Sequence, residues 1–315
     1  MMKTKMMVLA AALLMLLTLL TAGCQRHAQQ LPEEVAAVGN AVYYWRTELR
    51  LDSVERAFLS RHRVRRIYCR YFDVVMRDSV PMPNATVTFA DTLPDSIELV
   101  PTVYITEECM HTSHEGLAEK LVSRICQMNE TNDIKGVREI QIDCDYTARS
   151  RQVYYDFLNE VRRYSSFLIP HSSFLISTTI RLHQLRMAAP PVDYGVLMIY
   201  NTGDPRRFMD RHSADGRLIE EGRNPILDMR DVKPYLRHLS GYPLPLCAAY
   251  PVYRWQRNIH GVRVEHTVEA GEILRVKEAV EQERPELRQT ILTYHLDKEN
   301  INRYNTETYE KIYSH

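Results

Sequence analysis

A stretch near the middle of the chain, Gly136 to Thr147, most strongly constrains the fold. It reads Gly-Val-Arg-Glu-Ile-Gln-Ile-Asp-Cys-Asp-Tyr-Thr. Successive side chains of a β-strand point to opposite faces, so this run predicts a strand with one apolar and one polar face. The apolar face carries Ile140, Ile142 and Cys144, and the polar face carries Gln141, Asp143 and Asp145. A strand that packs on helices and ends in two acids is typical of a (β/α) barrel, whose chemistry lies at the C-terminal strand ends.

Strand-like and helix-like segments alternate from Ala41 onward, which predicts an α/β fold with a single (β/α)8 TIM barrel. The predicted strands are 41–45, 67–75, 97–106, the stretch described above, 174–182, 192–201, 244–250 and 290–296. Predicted helix starts are Asp52 with Glu55 in a capping box, Ser113, Thr147, and Asp231 in a helix that ends before Gly241. Two long loops, 204–225 and 251–267, are predicted at the C-terminal ends of strands six and seven.

The N-terminus is predicted to be a processing signal and not part of the fold. Lys3 and Lys5 precede an apolar run, Met6 to Leu20, that is too short for a comfortable membrane span. The run ends in small residues before Cys24, which resembles a bacterial lipobox and implies lipidation of Cys24, for example with palmitate. The predicted organisation is a lipoprotein signal peptide (1–23), a tether (24–40) and the barrel (41–315). The alternative is an ordinary signal peptide that is cleaved elsewhere.

A lipid anchor tethers a protein to a membrane without spanning it, so the expected location is the bacterial cell envelope, periplasmic or surface-facing. The net charge and the cysteine content of the chain argue against several other classes of protein. The formal net charge of the 315 residues is zero, which argues against nucleic acid as a partner. The six cysteines form no CxxC pair, so neither a metal site nor a disulfide-built scaffold is expected. No cofactor is predicted, and the oligomeric state is left open.

One segment is duplicated in tandem. Ser165 to His171 reads Ser-Ser-Phe-Leu-Ile-Pro-His, and Ser172 to Ser177 repeats it as Ser-Ser-Phe-Leu-Ile-Ser. We predict that the second copy leads strand five and that the first copy is an extra loop on the face away from the site. A functional binding loop is the alternative.

Polar side chains at the C-terminal strand ends define the candidate site. Asp143 and Asp145 lie on one face about 6.6 Å apart, and two like charges so close raise one pKa, as an acid catalyst requires. Tyr200 is placed to stabilise developing charge. The predicted substrate-binding residues are Arg181, His183, Asn201, Tyr250, Tyr253, Trp255 and Asp297. The alternatives are that the acids cap the next helix or pair with Arg181, and that the aromatic residues serve packing.

Strands four and six resemble those of family 18 glycoside hydrolases, the chitinase-type barrels. Strand four of that family carries D-x-x-D-x-D-x-E, in which the final Glu is the general acid. Asp143 matches the last Asp, and Asp145 occupies the position of the Glu. Gln141 and Arg138 replace the two earlier Asp residues. The M-x-Y-D motif of strand six is matched by Met198 to Asn201, with Asn201 in place of Asp. The resemblance implies a barrel with Asp145 as general acid, in a degenerate motif.

The chain also resembles a family of uncharacterised bacterial lipoproteins of unknown function that contain such a barrel. The similar segments are Ile140 to Asp145, Ser177 to His183 and Val192 to Asp193. This resemblance implies an envelope location and no particular activity. Three hypotheses therefore stand: a glycan-active enzyme, a non-catalytic barrel that binds glycans or other envelope components, and a structural component of an outer-membrane complex.

Overall fold

A computed structural model of the chain describes residues 30–168, 174–203, 224–259 and 262–315. Eight parallel strands close into a barrel in which each strand pairs with the next and the last pairs with the first. The strands are β1 (Ala41–Tyr44), β2 (Arg66–Arg77), β3 (Glu98–Ile105), β4 (Glu139–Asp143), β5 (Leu175–Arg181), β6 (Tyr194–Met198), β7 (Leu246–Pro251) and β8 (Ile291–Tyr294). The predicted TIM barrel is confirmed.

The helices lie outside the barrel or at its ends. They are α1 (Glu33–Ala36), α2 (Ser53–Arg61), α3 (Leu117–Thr131), α4 (Arg151–Leu168), α5 (Met229–Leu239), α6 (Ala270–Glu283), α7 (Lys298–Ile301) and α8 (Thr306–Ile312). No described helix is long and apolar enough to cross a membrane. The capping box of α2 is confirmed, because Asp52 accepts from the Glu55 backbone and Glu55 accepts from the Asp52 backbone.

Two predicted helix starts are wrong in position. Helix α3 begins after Gly116, whose φ of +70° suits a residue without Cβ, and not at Ser113. The cap of α5 is Asp228, whose carboxylate accepts from the backbone N–H of Arg230, and Asp231 lies inside the helix. The predicted cap at Thr147 is confirmed, because its carbonyl accepts from the backbone N–H of Arg151 at 2.9 Å and its hydroxyl accepts from the backbone N–H of Arg149 at 3.2 Å in the turn that leads into α4. Several Asp, Ser and Thr residues compete for each cap, so the pattern alone does not choose among them.

Two hairpins stand at the C-terminal end of the barrel. Strand β2 runs past the barrel and pairs antiparallel with Val80–Asn84, so a strand follows it in place of a helix. The prediction of a loop over residues 251–267 is wrong, because this segment contains two antiparallel strands, Trp255–Ile259 and Val262–His266. Most of the other predicted loop, residues 204–223, lies outside the described residues. These hairpins border the opening at the C-terminal ends of the barrel strands, which is called the mouth below.

Part of the predicted tether packs against the opposite end of the barrel. Leu31 and Val35 are buried in the core. The Val35 carbonyl accepts from the Thr290 hydroxyl at 3.3 Å, and the Glu34 carbonyl accepts from Arg66 at 3.2 Å. Residues 30–40 are therefore folded onto the N-terminal strand ends and do not act as a free linker.

The first copy of the duplicated segment does not form the predicted loop over its described length. Ser165 to Leu168 is the last turn of α4. Residues 169–173 lie outside the described part of the chain, and Leu175 begins β5. In this turn Ser165 is buried, whereas Phe167 is 79% exposed.

The polar face predicted for β4 does point into the barrel. Tyr43 on β1 donates to Gln141 across the interior at 2.9 Å, and Tyr194 donates to Glu139 at 2.6 Å. Arg66 lies beside Glu139 at the closed N-terminal end. The barrel axis is therefore a column of buried polar side chains. Tyr43 with Gln141 and Tyr194 with Glu139 are hydrogen-bonded, whereas Arg66 and Glu139 form an ion pair 3.6 Å apart without a hydrogen bond.

Gly195 on β6 is placed where the barrel has no room for a side chain. A Cβ built there would lie 2.7 Å from Ile180 Cγ1 and 3.0 Å from Leu244 Cδ2. We expect Gly195→Ala to lower the free energy of unfolding by roughly 1–3 kcal/mol, the usual cost of overpacking. Urea unfolding of this variant beside Gly271→Ala, whose Cβ meets nothing within 4 Å, checks it. Equal losses in the two variants would contradict the crowding argument.

Candidate functional site

Asp143 is the innermost acid of the candidate site. It ends β4, is 4% exposed, and accepts a 2.6 Å hydrogen bond from the Thr179 hydroxyl on β5. Burial raises the pKa of Asp143 to about 6, against the opposing effect of the Arg181 guanidinium. The prediction that one carboxyl near the end of strand four has a raised pKa applies to Asp143, the less accessible of the two.

Asp145 lies two residues further on and is accessible, with 46% of its side chain exposed. Its carboxylate accepts from Nε of Arg181, and Nη2 of the same guanidinium lies 3.4 Å from Asp143. Arg181 itself ends β5, and only 18% of its side chain is exposed. One guanidinium therefore bridges both acids, which is the ion-pair alternative considered from the sequence. Asp145 is therefore ion-paired with a largely buried guanidinium.

Aromatic rings form the floor of the mouth beside this ion pair. Tyr200 follows β6 and stacks on Tyr294 of β8, with ring centroids 4.7 Å apart. Tyr253 meets both rings edge-on and donates from its hydroxyl to Asn201 at 2.6 Å. The ring centroids of Trp45 and Tyr294 are 5.8 Å apart, and Trp45 is partly exposed. Burial raises the pKa of Tyr200, so its phenol is protonated at neutral pH and is able to donate a hydrogen bond.

A cavity of about 260 Å³ opens beside Asp145 and Arg181. His183, Asn201 and Tyr200 line it, together with Tyr235 of α5. His183 lies in the 3-10 helix Leu182–Arg186 and not on the strand face where the sequence placed it. Burial lowers the pKa of His183, so its ring is neutral at pH 7. The volume lies below the roughly 300–1,000 Å³ of drug-sized sites, so it accommodates one small group.

The structure thus brings together most, but not all, of the predicted site residues. Tyr250 is fully buried on the side of β7 that faces Glu281 of α6, so it is a core residue. Asp297 caps α7 by accepting from the Asn300 backbone at 2.8 Å. Trp255 begins the hairpin after β7 and packs on His266, 5.8 Å between ring centroids.

Three residues at the mouth were missed, namely Trp45, Tyr104 and Tyr294. Tyr104 on β3 lies near both acids. Burial is the main cause that raises the pKa of Tyr104, and the charges of Asp145 and Asp143 raise it further. Strand alternation offered a signal for Trp45, because it shares the face of Tyr43 two residues earlier. No sequence signal brings Tyr294 onto Tyr200, because these residues meet only when the barrel closes.

The sequence matches no protein-family model and no curated protein. Solved structures with the same fold include a GH18 chitinase from Pseudoalteromonas aurantia, with 12% identity, 87% of this chain and 98% of that chain covered, and a TM-score of 0.50. Catalytic domain 2 of the Ostrinia furnacalis Group II chitinase, solved with a chitooligosaccharide, has 10% identity, 87% and 95% coverage, and a TM-score of 0.50. A tamarind chitinase-like lectin has 11% identity, 87% and 99% coverage, and a TM-score of 0.47. The chain therefore has a barrel like that of family 18 glycoside hydrolases.

Proposed function

We propose that the protein is a lipid-anchored carbohydrate-binding barrel that does not cleave its ligand. The observation that carries this proposal is the bridge from Arg181 to both Asp143 and Asp145. A glycosidase needs a carboxylic acid that still has its proton beside the scissile bond. Asp145 is exposed to ligand but is paired with a guanidinium, so protonating it would break that ion pair.

The carboxyl with the raised pKa is in the wrong place for this reaction. Asp143 is 4% exposed and lies beneath Thr179 and Arg181, away from the accessible surface of the cavity. A general acid must come within about 3 Å of the oxygen that it protonates. Acid catalysis requires both a raised pKa and access to the ligand, and these two properties belong to different residues here.

A carbohydrate ligand is supported by the side chains at the mouth. Sugar rings have apolar faces and hydroxyl edges, and a partly exposed aromatic group next to charged donors and acceptors complements both. Trp45, Tyr253 and Tyr294 provide the rings, and Asp145 with Asn201 provides the polar edge. A chitooligosaccharide in a barrel of the same fold makes N-acetylated glycans the first ligands to test.

We expect Trp45→Ala and Tyr294→Ala each to weaken glycan affinity about tenfold or more, because a stacked aromatic anchor contributes over 1 kcal/mol. The test is a titration of the full chain in detergent against a glycan panel, with product detection in the same wells. Tyr164→Ala, on α4, is the matched control because it removes a ring outside the mouth. No binding to any glycan would contradict the proposal. Product that disappears with Asp145→Asn would establish the enzyme instead.

The anchoring part of the proposal rests on the sequence before the described residues. Basic residues, an apolar run and the small residues before Cys24 together support lipidation in a bacterial envelope. We expect labelled fatty acid to be incorporated into the wild-type chain and lost in Cys24→Ser. Equal labelling of both chains would contradict lipidation at Cys24.

A further inference from the structure

The N-terminal end of the barrel has two features that the glycan site does not use. The first is the place where the chain leaves toward Cys24. Leu31 and Val35 are buried there, and the backbone of 34–35 bonds to Thr290 and Arg66 near the starts of β8 and β2. Residue 30, where the described part of the chain begins, therefore lies at the end opposite to the mouth.

The second feature is an exposed apolar pair at that same end. Helix α4 follows β4 and precedes β5, so its last turn lies beside the N-terminal strand ends. Phe167 and Leu168 in this turn are 79% and 44% exposed. They belong to the duplicated segment. Among the described residues the other exposed large hydrophobic side chains are Val80 and Met82, on the hairpin at the mouth.

The two features lie across the barrel from each other. Strand β1, beside the N-terminal segment, and β5, beside the end of α4, are four strands apart in an eight-stranded closed sheet. A flat surface that touches this end of the barrel therefore meets the departing chain on one side and the Phe167–Leu168 pair on the other. Exposed Phe and Leu side chains are the groups that enter the interfacial region of a bilayer.

The length of the connecting chain restricts how the barrel sits on a membrane. Six peptide units separate Cys24 from Gln30, and these span at most about 21 Å. Strand β2 covers Arg66 to Arg77, and twelve tilted residues rise roughly 30 Å from one end of the barrel to the rim of the mouth. A chain anchored at Cys24 is too short to run past the barrel and turn the mouth onto the bilayer.

We propose that the barrel stands on the membrane with its N-terminal end, with Phe167 and Leu168 in the lipid interface and the mouth directed away from it. The proposal rests on lipidation at Cys24. It also defines the ligand class of the site. The mouth receives glycans presented from the aqueous side, and it does not receive saccharides attached to lipids of the membrane that holds the protein.

Tryptophan fluorescence tests this orientation directly, because both tryptophans, Trp45 and Trp255, lie at the mouth end. The full-length lipidated chain is reconstituted into phosphatidylcholine vesicles, with or without lipids brominated on the acyl chains. We expect the native emission to be unchanged by bromine. Phe167→Trp should lose about one third of its emission, since one of its three tryptophans then lies in the interface. Met82→Trp, the matched control at the mouth, should lose none.

Each failure has a different signature. Quenching of the native tryptophans would overturn the orientation. An unquenched Phe167→Trp variant on vesicles would overturn the lipid contact. A chain that does not float with the vesicles would overturn the anchoring together with this proposal. The glycan titration is a separate measurement, so a chain that stands as proposed but binds no glycan would refute only the proposed function.

Discussion

Arg66→Met is expected to lower the free energy of unfolding by roughly 3–5 kcal/mol, the cost of leaving a buried charge without its partner. Arg66 has 2% of its side chain exposed and pairs with Glu98 at 2.6 Å and Glu139 at 3.6 Å. Burial raises the pKa of Glu139, and the charge of Arg66 is the largest influence that opposes this rise. Ser177 and Tyr194 donate hydrogen bonds to this carboxylate, but neither carries a positive charge that could replace the guanidinium.

Urea unfolding at pH 7 measures this loss. The double variant Arg66→Met/Glu139→Gln should recover a substantial part of it, because the neutral amide no longer needs a cation. Arg50→Met is the surface control, since the Arg50 and Glu48 side chains are 64% and 54% exposed and such pairs contribute at most about 1 kcal/mol. If Arg66→Met loses no more than Arg50→Met, the polar column does not stabilise the barrel in this way.

Asp143→Asn is expected to remove a pH dependence of stability. The folded pKa of Asp143, about 6, lies above its ordinary value of 3.8. Between these values the folded state holds a proton that the unfolded state has released, so the contribution of Asp143 to wild-type stability falls as pH rises from 4 to 7. The loss assigned to this group is about 3 kcal/mol. The amide does not titrate, and its oxygen still accepts from Thr179.

The measurement is the free energy of unfolding of both chains at intervals from pH 4 to pH 7, with the difference between them attributed to Asp143. Thr179→Val tests the assignment further. The Thr179 hydroxyl stabilises the carboxylate form, so its removal should move the wild-type window to higher pH. Parallel curves for wild type and Asp143→Asn would show that Asp143 has an ordinary pKa in the folded protein.

Local sequence patterns were sufficient to predict the barrel fold and the orientation of strand β4. Alternation along Ile140 to Asp145 identified which side chains of β4 face the helices and which face the barrel, because that period of two is a property of the extended backbone. The capping box at Asp52 and Glu55 was also correct, since both hydrogen bonds lie within four residues. Two other helix starts, at Ser113 and Asp231, were misplaced where neighbouring residues provided the start of the helix.

Only the closed barrel decided the roles of the side chains at the mouth. Arg181 and Asp145 are far apart in sequence, and the order of the strands brings them into one ion pair. Tyr294 joins Tyr200 for the same reason, whereas Tyr250 points outward to α6 and Asp297 caps a helix. Sequence alone determined that two acids end strand four, because alternation is local. Tertiary structure decided that one is buried and the other paired, because burial and charge depend on which neighbours the closed sheet supplies.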